Sequence, residues 1–217
     1  MTRLLVTGAS GLLGGCVLRQ ANDAWQALGT AHRRTREGLV PLDIRNADAV
    51  AGLVRTEGVT HIVHCAALRS PDYCIEHPDE AEDVNVDGTR NVAAAARAVG
   101  AHLLYVSTDY VFPGTHPPYD EDASPDPINL YGRTKLGGEG AALAVERHTI
   151  ARIPALYRID LGDPRSYVTE LAGQLAKGNT LRLDAETVRY YTLADEVAAA
   201  FLHLLARSVR GVVHLSA

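Results

Sequence analysis

Short apolar runs alternate along this chain with longer stretches in which apolar residues recur at every third or fourth position. Residues 3–7, Arg-Leu-Leu-Val-Thr, form a run suited to a strand buried on both faces. A glycine-rich segment follows, then an apolar-periodic stretch to about Leu18 that predicts a helix. Further strands are expected over 26–31, 39–42, 61–65, 103–107 and 149–153. Helices are expected over 47–55, 80–99 and 130–147, the second of them interrupted near Asp87-Gly88. Near the end, Leu193, Val197, Phe201 and Leu204 recur at helical spacing and should face the sheet. Strands and helices that alternate in this way build parallel βαβ units, so the expected class is α/β, a doubly wound parallel sheet with helices on both faces. No linker or repeat divides residues 1–217, which are expected to form a single domain whose segment 154–217 supplies a small, reduced substrate portion. Residues 113–127 hold five prolines and several acids and predict a surface loop, either a plain connection or a lid.

In such sheets ligands lie outside the carboxyl ends of the strands. That rule selects the residues at each strand end: Gly8 to Leu13, Ala66-Ala67-Leu68, Ser107-Thr108-Asp109, and Ile153-Pro154-Ala155. The first of these is the most specific. Gly8-Ala9-Ser10-Gly11-Leu12-Leu13-Gly14 sits between a predicted strand and a predicted helix, the context a Rossmann dinucleotide fingerprint requires. Gly8 permits the tight turn, Gly11 lets backbone approach a pyrophosphate, and Gly14 lets the helix pack close to the strand. The spacing is G-x-x-G-x-x-G instead of the commoner G-x-G-x-x-G. About twenty residues on, where NAD sites place an acid for the ribose 2′-hydroxyl, the chain has His32-Arg33-Arg34. Guanidinium groups suit a 2′-phosphate, so Arg33 and Arg34 predict NADP(H) as the preferred cofactor.

Tyr131 and Lys135 stand four residues apart within a predicted helix, which puts a phenol and an ammonium on one face. A nearby cation lowers a phenol's pKa, so the pair is expected to donate a proton to a substrate oxygen near neutral pH.

A net charge of −5 supplies no basic field, so nucleic acid is not an expected partner. No stretch is apolar enough to span a membrane, and the N-terminus has no signal-peptide pattern. Cys16, Cys65 and Cys74 are scattered, which suggests a reducing, cytoplasmic setting. Cys74-x-x-His77 is half a metal motif without a second half, and no metal is expected.

Together these motifs, in this order, resemble the extended short-chain dehydrogenase/reductase superfamily. The matching pieces are Thr7 to Gly14, Leu42-Asp43-Ile44, His64-Cys65-Ala66-Ala67, Val84 to Thr89, and Tyr131-x-x-x-Lys135. Val106 to Gly114 and Asn129 to Lys135 resemble its dTDP-4-dehydrorhamnose reductase branch, which also contains the regulatory β-subunit of methionine adenosyltransferase. The stretch from Ala66 to Asp83, with Arg69-Ser70-Pro71-Asp72, is similar to that subunit. The resemblance implies that Tyr131 is the proton donor, that Thr108 hydrogen-bonds the reacting oxygen, and that Lys135 holds the nicotinamide ribose and lowers the Tyr131 pKa. It implies that Asp43 and Ile44 lie beside the adenine, that Ala66 and Ala67 line the cofactor cleft, and that Asn85 lies near the active site. The implied substrate is a carbonyl compound, a 4-keto-6-deoxysugar nucleotide or a similar small ketone. Two rivals stay open: a non-catalytic NADP-binding regulatory or scaffold protein, and an epimerase or dehydratase with tightly held NAD. Two features depart from the pattern. Only residues 154–217 follow Ile153, so either an open cleft or a second subunit is expected on the substrate side. Arg158 follows Leu156-Tyr157 where relatives often carry glycine. The resemblance further implies a homodimer joined through the helix of Tyr131 and its alanine-rich neighbour.

Overall fold

The computed structural model describes residues 2–21, 25–34, 36–159, 166–183 and 186–216. Its main sheet has seven parallel strands. These are β1 (Leu4–Thr7), β2 (Leu28–Ala31), β3 (Val40–Pro41), β4 (His61–His64), β5 (His102–Thr108), β6 (His148–Ile153) and, numbered in chain order, β9 (Gly211–His214). They lie in the order β3-β2-β1-β4-β5-β6-β9. Two short strands, β7 (Leu156–Tyr157) and β8 (Thr192–Leu193), pair in parallel outside it. The chain switches direction between β1 and β4, and that switch point opens a crevice at the carboxyl edge.

Both faces of the sheet are covered. On one, α1 (Leu12–Gln20) packs with α8 (Ala194–Ala206), and Leu13, Cys16, Val17, Val197, Phe201 and Leu205 fill the space against Leu4, Val6 and Leu104. On the other, α2 (Ala47–Thr56), α5 (Gly88–Val99) and α6 (Leu130–Leu143) bury Val50, Val54, Val92, Ala96 and Ala142 against Leu5, Ile62, Leu103 and Tyr105. α7 (Tyr167–Ala176) lies beside β7.

The helices differ from expectation in detail. In α8 Leu205 is fully buried, and Leu204 packs against the same cluster from a half-buried position. The segment after β4 forms α3 (Pro71–Glu76), where no helix was expected; Ser70 caps it by accepting from the Tyr73 N–H, and Pro71 occupies its first turn. The expected helix over 80–99 is interrupted where expected, at Asp87-Gly88, and begins two residues earlier. α4 (Pro78–Glu82) runs through a π-helical turn, Asp83–Asp87, into α5. Such turns insert one extra residue per turn and often sit at functional sites.

The 113–127 loop is anchored rather than free. Glu121 accepts the His214 N–H with its side chain and the Arg152 guanidinium with its backbone carbonyl, and Tyr119 stacks on Phe112.

Candidate active site

The glycine loop packs against the loop after β4. Gly8 has φ +67°, and a Cβ there would come within 2.8 Å of the Ala66 backbone. A Cβ on Gly14 would approach the Gly8 carbonyl to 2.5 Å. The Ala66 N–H donates to the Thr7 hydroxyl at 3.3 Å, which fixes the two loops together. Gly11 caps α1 without a side chain, so the N–H groups of that helix's first turn, beside Ser10, Leu12 and Leu13, face the loop. The Leu13 side chain itself is buried in the core. The cradle is thus lined by backbone, and side chains at Gly8 or Gly14 would clash within it.

At the far end of the crevice, Arg33 and Arg34 follow β2 and are exposed, and Asp43 and Ile44 follow β3. Asp43 is engaged by Arg45, whose Nε and Nη2 donate at 3.0 and 2.7 Å. That pairing holds the Asp43 carboxyl down at about 2. Ile44 is buried against Gly88, and its carbonyl accepts from Asn91. An acid does stand at this end after all, supplied by a different element: Glu80 of α4 pairs with Arg33.

At the near end stand Thr108, at the last position of β5, and Tyr131 and Lys135 on α6. Asn129 caps α6 by accepting the Gly132 N–H at 2.8 Å. Two glycines let that helix come close enough to matter. A Cβ on Gly132 would lie 2.2 Å from the Tyr110 carbonyl, and one on Gly138 would lie 2.1 Å from the Tyr105 hydroxyl. The Tyr105 hydroxyl donates to the Lys135 carbonyl at 3.1 Å, and the Lys135 Nζ sits 4.2 Å from the centre of the Tyr105 ring. Ile153 and Pro154 close the edge beside Thr108, since β6 pairs with β5 in the register Thr108 to Ile153.

The expected lowering of the Tyr131 pKa by Lys135 is not seen. Tyr131 is half-buried, and loss of hydration raises its phenol well above the ordinary value; a hydrogen bond with the Thr108 side chain and the charge of Arg69 work the other way, and the neighbouring Asp109 carboxyl adds to the rise. Lys135 faces the Tyr105 ring and is itself perturbed. It is 3% exposed, and burial brings its ammonium down to about 7. Helical spacing put the pair on one face but carried no information on desolvation.

That burial gives a pH-dependent prediction. Folded Lys135 releases its proton as pH rises through about 7, whereas the unfolded chain keeps it to about 10.4. Between those values the unfolded state binds more protons, so stability should rise with pH. In urea titrations of the cofactor-free protein at about pH 7 and about pH 9, wild type should gain about 2 kcal/mol more than Lys135→Met does. Equal gains would show that Lys135 is not the buried titrating group.

Asn85 lies in the π-helical turn and is 1% exposed. Its amide accepts from the Leu68 N–H at 2.8 Å and donates to the Leu68 carbonyl and the Thr134 hydroxyl, both at 3.0 Å. It therefore ties the Ala66–Leu68 loop to α6 and acts as a positioning residue. Its backbone carbonyl accepts from Thr89, which contacts His64, whose other ring nitrogen is 2.6 Å from the Thr7 hydroxyl. Burial holds His64 neutral, its pKa pushed down to about 3.

Other residues of the site were not anticipated. Glu139, on α6, accepts from Arg152 Nε and Nη2 at 3.0 and 2.8 Å and from the Ser107 hydroxyl, all in the interior. Arg189 donates to the Tyr110 hydroxyl at 2.6 Å, and the Tyr110 ring meets Tyr131 edge-on at 5.7 Å. Each pair joins residues far apart in sequence, which a local reading cannot find. Arg158, singled out as a cation on the substrate wall, is tied to Asp195 at 3.1 Å. Cys74 and His77 form no metal site: the thiol points to the Leu68 carbonyl, His77 packs on Tyr73, and the described residues hold no cluster of metal-ligating side chains. Among the described residues no helix is long and apolar enough to cross a membrane.

A doubly wound parallel sheet, a glycine loop at its switch point, Thr108 at the end of β5, and Tyr131 and Lys135 on α6 define a Rossmann-type protein of the extended short-chain dehydrogenase/reductase class. Within that class the chain belongs to the RmlD substrate binding domain family, whose model matches residues 1–217. Among curated proteins it is 40% identical to the methionine adenosyltransferase 2 subunit beta of Xenopus tropicalis, over 99% of this chain and 66% of that one. It is 32% identical to the dTDP-4-dehydrorhamnose reductase of Mycolicibacterium smegmatis, over 98% of this chain and 63% of that one. The chain thus spans slightly less than two thirds of the length of these relatives. Among solved structures, the dTDP-4-dehydrorhamnose reductase of Bacillus anthracis in complex with NADP superimposes with a TM-score of 0.91 at 30% identity, covering 100% of this chain and 75% of that one.

Proposed function

We propose that the protein is an NADP-preferring reductase of a carbonyl group, acting on a 4-keto-6-deoxysugar nucleotide or a similar small ketone. The observation that supports this reading is that Thr108 ends β5, one strand from the β4 loop that packs on Gly8, with Tyr131 of α6 hydrogen-bonded to it and Lys135 one helical turn further along. The cradle of Gly8, Gly11 and Gly14 would hold the pyrophosphate, Arg33 and Arg34 the 2′-phosphate, and Lys135 the nicotinamide ribose. A reduced nicotinamide held there would supply hydride to the carbonyl carbon. Negative charge then grows on the carbonyl oxygen, where the Thr108 hydroxyl donates a hydrogen bond and the Tyr131 phenol gives up its proton. The raised pKa of Tyr131 keeps it in the proton-bearing form at neutral pH. Arg189 and Tyr110 form the wall on the substrate side, and residues 154–217 supply the substrate portion. The likeness to dTDP-4-dehydrorhamnose reductases supports the substrate class.

A second reading is favoured by one observation, the 40% identity to a protein named as a subunit of another enzyme. On it the chain binds the cofactor and turns over nothing. The two part in a single assay. A reductase oxidises NADPH when a dTDP-4-keto-6-deoxysugar is added; a cofactor-binding subunit binds NADPH, shows no turnover with any 4-keto sugar nucleotide, and copurifies with a partner. For either reading we infer a homodimer through the outer face of α5 and α6, where a groove of about 470 Å³ is lined by Ala93, Ala94, Ala141 and Gly137 together with Arg90 and Arg97.

Cofactor preference is tested by calorimetry. Wild type should bind NADPH more tightly than NADH, and Arg33→Ala with Arg34→Ala should weaken NADPH roughly ten-fold or more, as loss of charge-assisted phosphate contacts does, while leaving NADH nearly unchanged. Equal affinities in wild type would sink the preference.

A further inference from the structure

Two of the three arginines at the adenosine end of the crevice are already paired. Arg45 is held by Asp43, which leaves Arg33 and Arg34 after β2. Arg33 reaches across to α4, where its Nη2 donates to one oxygen of Glu80, a residue 47 positions away in sequence. The other Glu80 oxygen accepts the Tyr73 hydroxyl at 2.8 Å. Arg34 is exposed and no ion pair engages it among the described residues. One carboxylate thus fixes the guanidinium that stands where the second strand delivers the ribose-recognising residue in this fold.

We propose that Glu80 is a specificity-determining residue that competes with the cofactor's 2′-phosphate for Arg33 and so restrains the preference for NADPH over NADH. This rests on the assignment of Arg33 to the 2′-phosphate. A guanidinium has five donors in one planar fork, and a phosphate takes two of them side by side. Glu80 holds the Nη2 corner of that fork, so a phosphate that takes an edge containing Nη2 must displace it. NADH carries a hydroxyl in place of the phosphate and makes no such demand, so the cost falls on NADPH alone. Glu80 keeps the Tyr73 hydrogen bond when Arg33 leaves; in the paired state that bond foremost, with the charges of Arg33 and Arg45, holds its carboxyl below the usual range. The Arg33 side chain is 56% exposed and that of Glu80 21%, so the exchange needs no rearrangement of the core.

The test is calorimetric titration of the whole chain with NADPH and with NADH, in wild type, Glu80→Gln, Arg33→Ala and the double variant. Asp79→Asn controls for loss of a negative charge on the same helix. The expected result is that Glu80→Gln tightens NADPH about two- to five-fold, the span of a partly exposed ion pair, with NADH unchanged. The gain should vanish in the Arg33→Ala background and should not be matched by Asp79→Asn. The same pattern is expected with 2′,5′-ADP and 5′-AMP, which isolate the phosphate. If Arg33→Ala weakens NADPH but Glu80→Gln leaves the NADPH-to-NADH ratio unchanged, the competition is overturned while the 2′-phosphate assignment stands. If Glu80→Gln weakens NADH, Glu80 is a ribose ligand and the proposal falls. If Arg33→Ala changes neither affinity, the phosphate assignment fails and the competition fails with it.

Discussion

Tyr131→Phe should lower turnover of a 4-keto sugar nucleotide by about 10²–10⁴-fold, the usual cost of removing a general acid, while NADPH binding and thermal stability hold. The substitution removes one hydroxyl and keeps the ring that meets Tyr110 edge-on. That hydroxyl bonds the Thr108 side chain, which keeps its contacts to Asp109 and the Tyr110 N–H, so the expected change in stability is no more than about 1 kcal/mol. This makes Tyr131 a cleaner probe than Thr108. The Thr108 hydroxyl also accepts the Tyr110 N–H and caps the short 3₁₀ turn Asp109–Val111, so its loss would disturb backbone as well as chemistry. Lys135 is less clean for the opposite reason, since its removal relieves a buried charge. Steady-state kinetics on Tyr131→Phe, with calorimetry on the same sample, separates a lost proton donor from a lost cofactor. Full turnover in the variant would remove Tyr131 from the mechanism.

What was legible in the sequence was local. The glycine loop, the Tyr131 and Lys135 spacing and the strand ends are each set by a few adjacent residues, and the structure places them at one edge of one sheet. α3 was equally local and was overlooked, although Ser70-Pro71-Asp72 carries the signature of a helix start. The π-helical turn at Asp83–Asp87 has no compositional signal, because it differs from an α-helix only in one extra residue per turn. The electrostatics were not legible at all. Whether a cation lowers a phenol's pKa depends on how much water surrounds both, and helical spacing does not reveal that Lys135 turns its ammonium to Tyr105. The carboxylate that pairs with Arg33 comes from α4, 47 positions away in sequence, so no local reading of β2 and its loop could find it.

The buried charges behind the site carry the second large effect. Glu139→Gln, or Arg152→Met, should destabilise the protein by about 3–5 kcal/mol, because either change leaves an ion in the interior without its partner. The two side chains are 4% and 6% exposed. Arg152 donates twice to Glu139, the Ser107 hydroxyl adds a third hydrogen bond, and the guanidinium lies over the Phe112 ring at 5.0 Å. The pair therefore joins β5, β6 and α6, the three elements that carry Thr108, Ile153 and Tyr131. For a chain of this size each kcal/mol shifts the melting temperature by about 2–4 °C, so a fall of roughly 6–20 °C is expected. Replacing both together, Glu139→Leu with Arg152→Met, removes the unpaired charge and should recover most of the loss. It should not recover all of it, since Arg152 also donates to the Glu121 carbonyl at 3.3 Å and so anchors the 113–127 loop. Urea or thermal melts of Glu139→Leu, Arg152→Met and their double variant form a complete cycle, with Glu139→Gln as a further single variant. Single variants that melt within about 0.5 kcal/mol of wild type would show that solvent reaches this pair, and that packing alone joins α6 to the sheet.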